Sequence, residues 1–560
     1  MSLTLLAIAF VTLLILSYRF YASRVAREFS IDDERVTPAH TKADGIDYVA
    51  ARPFYLFGQH FSAIAAAGPI AGPIAACLMF GWLPCLVWIA LGVVLIGAVH
   101  DFATLTASVR HGGCSIAEVA RAQLGSKAGR AMLLFIWIAL VYVVVAFAQI
   151  TAKTFVAGTA ELATVADDFR PGGAVAAASV LYLLLALAMG FVQKFLRPPL
   201  ALVTLIFVPA TFALCYLGTT ISGWLAFDVR TWGLIILAYC FIASMTPVWA
   251  LLQPRGYLGG FILYAALALG LTGVLVGGYE IKQPMFKAWN PEGSPGALFP
   301  FLFVTIACGA CSGFHGLVCS GTTSKQIDRE SHLRPVGYGA MLGEGLVALI
   351  ALVTVMIVAP GDTKGQDPGT IYGRGIGEFL TLYIGKEHLH IAITFGAMAF
   401  STFVFDTLDV CTRLGRYIVQ ELFGWPGRLG ALAATIITIA PPAFFISIAD
   451  DDAYRSFWIL FGASNQLLAA LSLLSISVWL RKAGRRLRFT LPPMLFVLVT
   501  TLYALVTLAR TNFAKSKGLD LGLLNAICAT ALVLLAIYLV VTALLEFRNT
   551  RGATDLDTKL

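Results

Sequence analysis

Histidines and carboxylates stand inside stretches of this sequence that are otherwise apolar. His60, His100, Asp101 and His315 fall in such runs, as do Glu344, Asp406 and Asp409. An ionisable group in apolar surroundings is costly, so its presence points to a task. Histidines and carboxylates at similar depth can relay protons or hold a cation. A structural alternative exists for two of them. Asp409 stands four residues before Arg413, the spacing of a helical ion pair, and Asp101 could pair with a basic residue at a helix end. Cys308, Cys311, His315 and Cys319 share one helical face on paper. That face suits metal ligation or redox chemistry with His60 and His100. Small polarizable residues also let helices pack closely, and the glycines between them make a regular ligand face doubtful. Whether a metal binds stays open. Asn465 and Gln466 are further polar candidates without an assigned role.

The elements that position these groups are broken helices. The run 57–80 carries Gly68-Pro69 and Gly72-Pro73, and the run 299–322 carries Gly309, Gly313 and Gly316 around Ser312 and His315. Such residues weaken a helix, and in lipid the freed backbone groups need internal partners. A matched pair of breaks marks a transporter's binding site. Half-helix N-termini favour an anionic group. A substrate carboxylate is therefore expected against Ala67, Gly68 and Gly72 on one side and Gly309, Ser312 and Gly313 on the other.

The chain has 560 residues, 59% of them hydrophobic and only 12% charged. That balance excludes a soluble globular protein. About fifteen apolar runs are long enough to cross a bilayer: 2–18, 57–80, 84–108, 131–152, 173–192, 199–219, 232–252, 257–279, 299–322, 336–360, 389–409, 430–449, 456–480, 491–509 and 521–545. The first lacks a basic leader and reads as an anchor span. Of the 39 Lys and Arg, about 27 fall on one side of these spans and about 12 on the other. The basic side is expected to be cytoplasmic, with the N-terminus outside and the C-terminus inside. The net charge of +8 reflects this bias and needs no nucleic-acid partner. Cysteines within spans argue against a disulfide framework. No soluble signalling domain is left over, which counts against a starvation sensor. No Gly-Lys-Ser/Thr phosphate loop is present, so an ion gradient rather than ATP is expected to drive any transport. No enzymatic activity and no cofactor are expected beyond a coupling proton or sodium ion.

The two broken spans enter from opposite sides. Each is followed by a regular span and a loop with a short helical pattern. In the first such loop Ser115 and Glu118 form a capping-box pattern. The second loop, Thr370 to Gly385, is amphipathic and glycine-punctuated. This order resembles the LeuT-type inverted repeat of the amino acid–polyamine–organocation superfamily. The fold expected is therefore an all-α polytopic membrane protein. The repeats are 57–219 and 299–480. An anchor and linker (1–56), an inserted pair (232–279) and C-terminal spans (481–560) are additions. That resemblance implies that Ser401 and Thr402 complete a sodium site with carbonyls from the first break, and that 370–385 plugs an outer vestibule. The alternative is that the hydroxyls bond to their own helix.

Four stretches resemble the carbon-starvation protein A family: FGQHFSAIAAAGPIAGP at 57–73, GAVHDF at 97–102, SGFHGLVCSGTTSKQ at 312–326, and TLD with TRLGRY at 407–417. The likeness covers most of residues 45–480. It implies an inner-membrane importer of peptides or of pyruvate, working in the response to starvation. Substrate, coupling ion and oligomeric state stay open.

Overall fold

A computed structural model describes residues 2–44, 47–157, 169–292, 294–518 and 520–549. The last residues of the expected 481–560 unit lie outside the described ones. Nearly all of the described chain is helical: α1 (Leu3–Glu28), α2 (Pro53–Ile64), α3 (Gly68–Phe80), α4 (Trp82–Arg110), α5 (Ile116–Leu124), α6 (Ser126–Val156), α7 (Pro171–Leu196), α8 (Leu200–Thr220), α9 (Val229–Met245), α10 (Leu252–Val276), α11 (Leu298–Thr305), α12 (Gly313–Gly321), α13 (Glu330–Met356), α14 (Pro368–Ile384), α15 (Lys386–Phe423), α16 (Gly427–Ile448), α17 (Tyr454–Lys482), α18 (Leu491–Lys515) and α19 (Leu521–Asn549). Twelve of these are long and apolar enough to span a membrane, and the bent pair α2–α3 makes a thirteenth. That is fewer than the fifteen expected. The run 232–252 folds as the seventeen-residue α9, and 299–322 becomes the two short helices α11 and α12.

Burial sorts the helices into a centre and a periphery. The apolar window of α17 is 100% buried and that of α15 89%, whereas α8 buries 22% and α1 28%. Peripheral helices turn apolar side chains outward, as a lipid-facing shell requires. The central helices carry the polar groups.

Local sequence explains the ends. Ser115 and Glu118 form both bonds of the expected capping box at the start of α5. Asp367 caps α14, accepting from the amides of Gly369 and Thr370. Both helices stop at a glycine with positive φ, Gly125 and Gly385. The expected segment 370–385 is thus the body of α14 with its terminating glycine, and α14 packs into α15 and α13. Its Phe379 is fully buried, edge-on to Tyr279.

Residues 29–44 and 47–52 lie along one end of the bundle. Buried Glu330 receives Nε and Nη2 of Arg110, each at 2.9 Å, and the amide of Asp32 at 2.9 Å. Arg35 adds a contact at 3.4 Å. Thr37 donates to the carbonyl of Ile327 at 2.6 Å, and Arg485 to Ser30 Oγ at 2.6 Å. The strap ties together the ends of α4, α12 and α17.

Candidate functional site

The two broken helices cross at their breaks. A Cβ on Gly68 would lie 2.5 Å from Cys308 Sγ, and one on Gly72 2.7 Å from the carbonyl of Thr305. One on Gly309 would sit 3.5 Å from Pro69 Cα. At Gly68 and Gly72 a side chain would push the segments apart, whereas at Gly309 a methyl would make ordinary contact with the first break. Fully buried Ala67 closes the first turn of α3, its carbonyl accepting the amides of Ile70 and Ala71.

Side chains satisfy the backbone freed by the second break. Trp458 Nε1 donates to the carbonyl of Thr305, and Trp88 Nε1 to that of Ile306, both at 3.1 Å. Gln466 donates to Phe303 O at 3.0 Å. Asn465 Oδ1 accepts the amide of Phe314 at 2.8 Å, while its Nδ2 donates to Ser312 Oγ at 3.0 Å. Asn465 and Gln466 thus complete the broken backbone. Gly313 faces the backbone of α17 rather than the first break.

A narrow cavity of about 10 Å3, room for about one water, lies beside the crossing, bordered by Ile64, Gly68, Phe147, Cys308, His315 and Thr407. Of the six residues expected to hold a carboxylate, Gly68 borders this space. Gly72 and Gly309 form the crossing, Ala67 lies buried at the start of α3, and Ser312 and Gly313 lie against α17.

His315 faces two carboxylates. Its Nδ1 is 2.9 Å from Asp101 Oδ2 and its Nε2 is 3.1 Å from Glu344 Oε2. The other Asp101 oxygen is 2.8 Å from His100 Nδ1. All four side chains are buried. A neutral imidazole donates from one nitrogen only. A neutral His315 therefore puts a lone pair against one carboxylate, which is favourable only if that carboxyl carries the proton. An imidazolium would donate to Asp101 and place its charge beside Glu344, whose oxygens make no directed hydrogen bond among the described residues. Such a set of neighbours has the chemistry to share a proton. The expected pairing of Asp101 with a helix-end base is thus replaced by two histidines. His60 reaches this group only through Cys319: its Nε2 is 3.8 Å from Cys319 Sγ, while its Nδ1 is 2.9 Å from Thr323 Oγ1.

A second polar cluster joins α10 to α15. Arg255 Nη2 is 2.6 Å from Asp406 Oδ1 and 3.1 Å from Asp409 Oδ2. Tyr239 donates to Asp409 Oδ2 at 2.8 Å, and Tyr182 to the carbonyl of Arg255 at 2.7 Å. The expected pairing of Asp409 with Arg413 is not made. Arg413 instead donates to the carbonyls of Ala243 and Thr246, each at 2.8 Å, because these lie at the exposed end of α9 and need donors. The apolar run 257–279 leaves Arg255 outside it. The helix begins at Leu252. Ser401 Oγ sits 2.7 Å from Ser179 Oγ and donates to the carbonyl of Met398 at 2.9 Å. The methyl of Thr402 faces Gly259. These hydroxyls lie against α7 and α10.

Cys319 Sγ is 3.6 Å from the carbonyl of Asp101, and Cys308 Sγ accepts from Asn465 at 3.2 Å. Among the described residues no group of three or more His, Cys, Asp and Glu is arranged to hold a metal ion. The metal or redox alternative gains no support from this geometry.

The sequence matches the family described as carbon starvation protein CstA over residues 1–367 and 363–504. It is 33% identical to a peptide transporter CstA of Campylobacter jejuni, covering 89% of this chain and 79% of that relative. It is 30% identical to a peptide transporter CstA of Bacillus subtilis, covering 96% of each. It is 31% identical to the pyruvate/proton symporter BtsT of Escherichia coli, covering 89% of this chain and 81% of that one. Among solved structures, a manganese transporter of Eremococcus coleocola aligns over 88% of this chain and 95% of its own, with a TM-score of 0.46 and 15% identity. That likeness is too distant to argue from. By the family match and by these relatives, the chain belongs to the carbon starvation protein CstA family.

Proposed function

We propose that this protein is a proton-coupled secondary transporter of the bacterial inner membrane. It imports a small carboxylate such as pyruvate or a short peptide. The observation that carries this reading is the placement of His315: it borders the cavity at the crossed breaks, and both its nitrogens face carboxylates. A proton gained there and a ligand admitted when the cavity widens would meet at one residue, which is what coupling needs. Support for the substrate class comes from relatives named as peptide transporters and as a pyruvate/proton symporter.

In this reading 57–219 and 299–480 are inverted repeats, the N-terminus lies outside and the strap lies in the cytoplasm. α14 covers the outer side, and a carboxylate reaches the start of α12 when Asn465 gives up the Phe314 amide. Protons are favoured over sodium because both nitrogens of His315 face carboxylates and Ser401 has partners on α7 and on its own helix, although Thr402 Oγ1 has none among the described residues. The test is uptake by purified protein in liposomes, with pyruvate, dialanine and free amino acids offered under separate pH and sodium gradients. Accumulation driven by an inward proton gradient is expected for at least one carboxylate. Accumulation that requires sodium and ignores pH would overturn the coupling assignment.

A further inference from the structure

The Arg255 cluster has a property the reading above does not use. Arg255 is fully buried. Its Nη2 lies close to Asp406 and Asp409, yet none of Nε, Nη1 and Nη2 makes a directed hydrogen bond among the described residues. A guanidinium carries five N–H donors in a rigid fork, and leaving them unmet in a buried place is expensive. The site therefore has donor capacity that its own residues do not consume.

The two carboxylates are not equivalent. Asp409 is also held by Tyr239, and its side chain is 3% exposed. The Asp406 side chain is 20% exposed and meets no charge partner other than Arg255 among the described residues. Asp406 faces Gly259 of α10, whose missing side chain leaves it room. The next residue, Thr407, borders the cavity at the breaks. Successive residues of a helix point about 100° apart, and none of Arg255, Asp406 and Asp409 borders that cavity, so the triad is a separate site that opens at Asp406. The other groups that face it are Tyr182 from α7, Tyr239 and Cys240 from α9, and Arg413 from α15.

We propose that Arg255 is a second station for the carboxylate of the transported molecule, occupied on its path and distinct from the start of α12, and that Asp406 is its exchangeable placeholder. With both aspartates ionised the triad carries one positive and two negative charges. A third carboxylate would bring a further uncompensated negative charge into a buried place, which is strongly unfavourable. A proton from solvent on Asp406 removes that obstacle. The neutral acid releases Nη2, and the ligand's carboxylate takes the planar fork in a charge-assisted pair. Net charge is unchanged when proton and anion enter together, so the exchange itself ties one to the other. This inference rests on the carboxylate-transport reading and places a second proton station beside that at His315.

The test is binding of pyruvate and of dialanine to purified full-length protein by calorimetry, across pH, with pyruvamide as the uncharged control. Asp406→Asn mimics the protonated state. It should bind the carboxylate roughly tenfold more tightly than the unaltered protein at about pH 7.5 and lose most of the pH dependence of binding. Arg255→Lys keeps the charge but loses the fork, and should bind roughly tenfold more weakly at all pH values. Thermal unfolding is followed alongside, because a purely structural ion pair would change stability without tightening the ligand. A carboxylate affinity and pH profile unmoved by Asp406→Asn would overturn the proposal, as would unaltered binding by Arg255→Lys. If the unaltered protein bound neither carboxylate at any pH, the transport reading itself would fall, which separates the two failures.

Discussion

The two buried clusters use carboxylates in opposite ways. Around Asp101 and Glu344 the counter-groups are imidazoles, which become neutral when a proton leaves. Around Asp406 and Asp409 the counter-group is Arg255, which stays charged at any working pH. The first cluster can hold or release a proton by redistributing it among neighbours less than 3.2 Å apart. The second can change charge only at its aspartates. One is therefore suited to carrying a proton, the other to trading one anion for another. The elements agree with this division. The histidine cluster is built on α4, α12 and α13, beside the breaks. The arginine cluster is built on α10 and α15, with tyrosines from α7 and α9.

Removing a partner from each cluster should separate them most sharply. Asp101→Ala leaves two buried histidines without their shared carboxylate. It is expected to cost about 3–5 kcal/mol if the histidines are charged, and less if they shed their protons. Arg255→Ala leaves two carboxylates unpaired and should cost a similar amount at neutral pH, with part of the loss recovered as the pH falls and the aspartates protonate. Thermal unfolding of both variants across pH measures this. A loss in Arg255→Ala that does not shrink toward acid would break the contrast.

A smaller effect is expected at the broken backbone. Asn465→Leu removes the acceptor of the Phe314 amide and should cost about 1–3 kcal/mol. It would lower uptake without changing which ion drives it. Gly313→Ala presses a methyl against the backbone of α17, and overpacking there should cost about 1–3 kcal/mol. Gly309→Ala, where the new methyl meets the Ala348 side chain at 3.0 Å, should cost less. Equal losses at the two glycines would show that Gly313 does not face α17. The smallest effect is expected for Ser401→Ala, under about 1 kcal/mol. Its uptake should stay independent of sodium.

Much of the architecture was legible because it depends on local chemistry. Glycine–proline pairs marked the first break and clustered glycines the second, apolar runs marked the long helices, and Ser115 with Glu118 marked the start of α5. The polar residues of the site were visible as charges inside apolar runs. Their partners were not. His315 and Asp101 are 214 positions apart, and His315 meets Glu344 only because α13 passes the break. Spacing suggested Arg413 for Asp409, since i to i+4 is the one pairing a linear reading can see. The true partner is Arg255 on another helix, hidden at the edge of a run beside Pro254. The direction of Gly313 could not be read either. A glycine signals close approach without saying to what.

The central claim is that His315 couples proton movement to the ligand at the crossed breaks. The most direct measurement compares exchange with accumulation in liposomes holding the His315→Asn protein, using whichever carboxylate the unaltered protein accumulates. Asparagine keeps hydrogen-bonding capacity but cannot carry the proton. The account predicts that exchange of labelled for unlabelled ligand persists, while accumulation driven by a pH gradient falls at least about tenfold. Accumulation equal to that of the unaltered protein would contradict it.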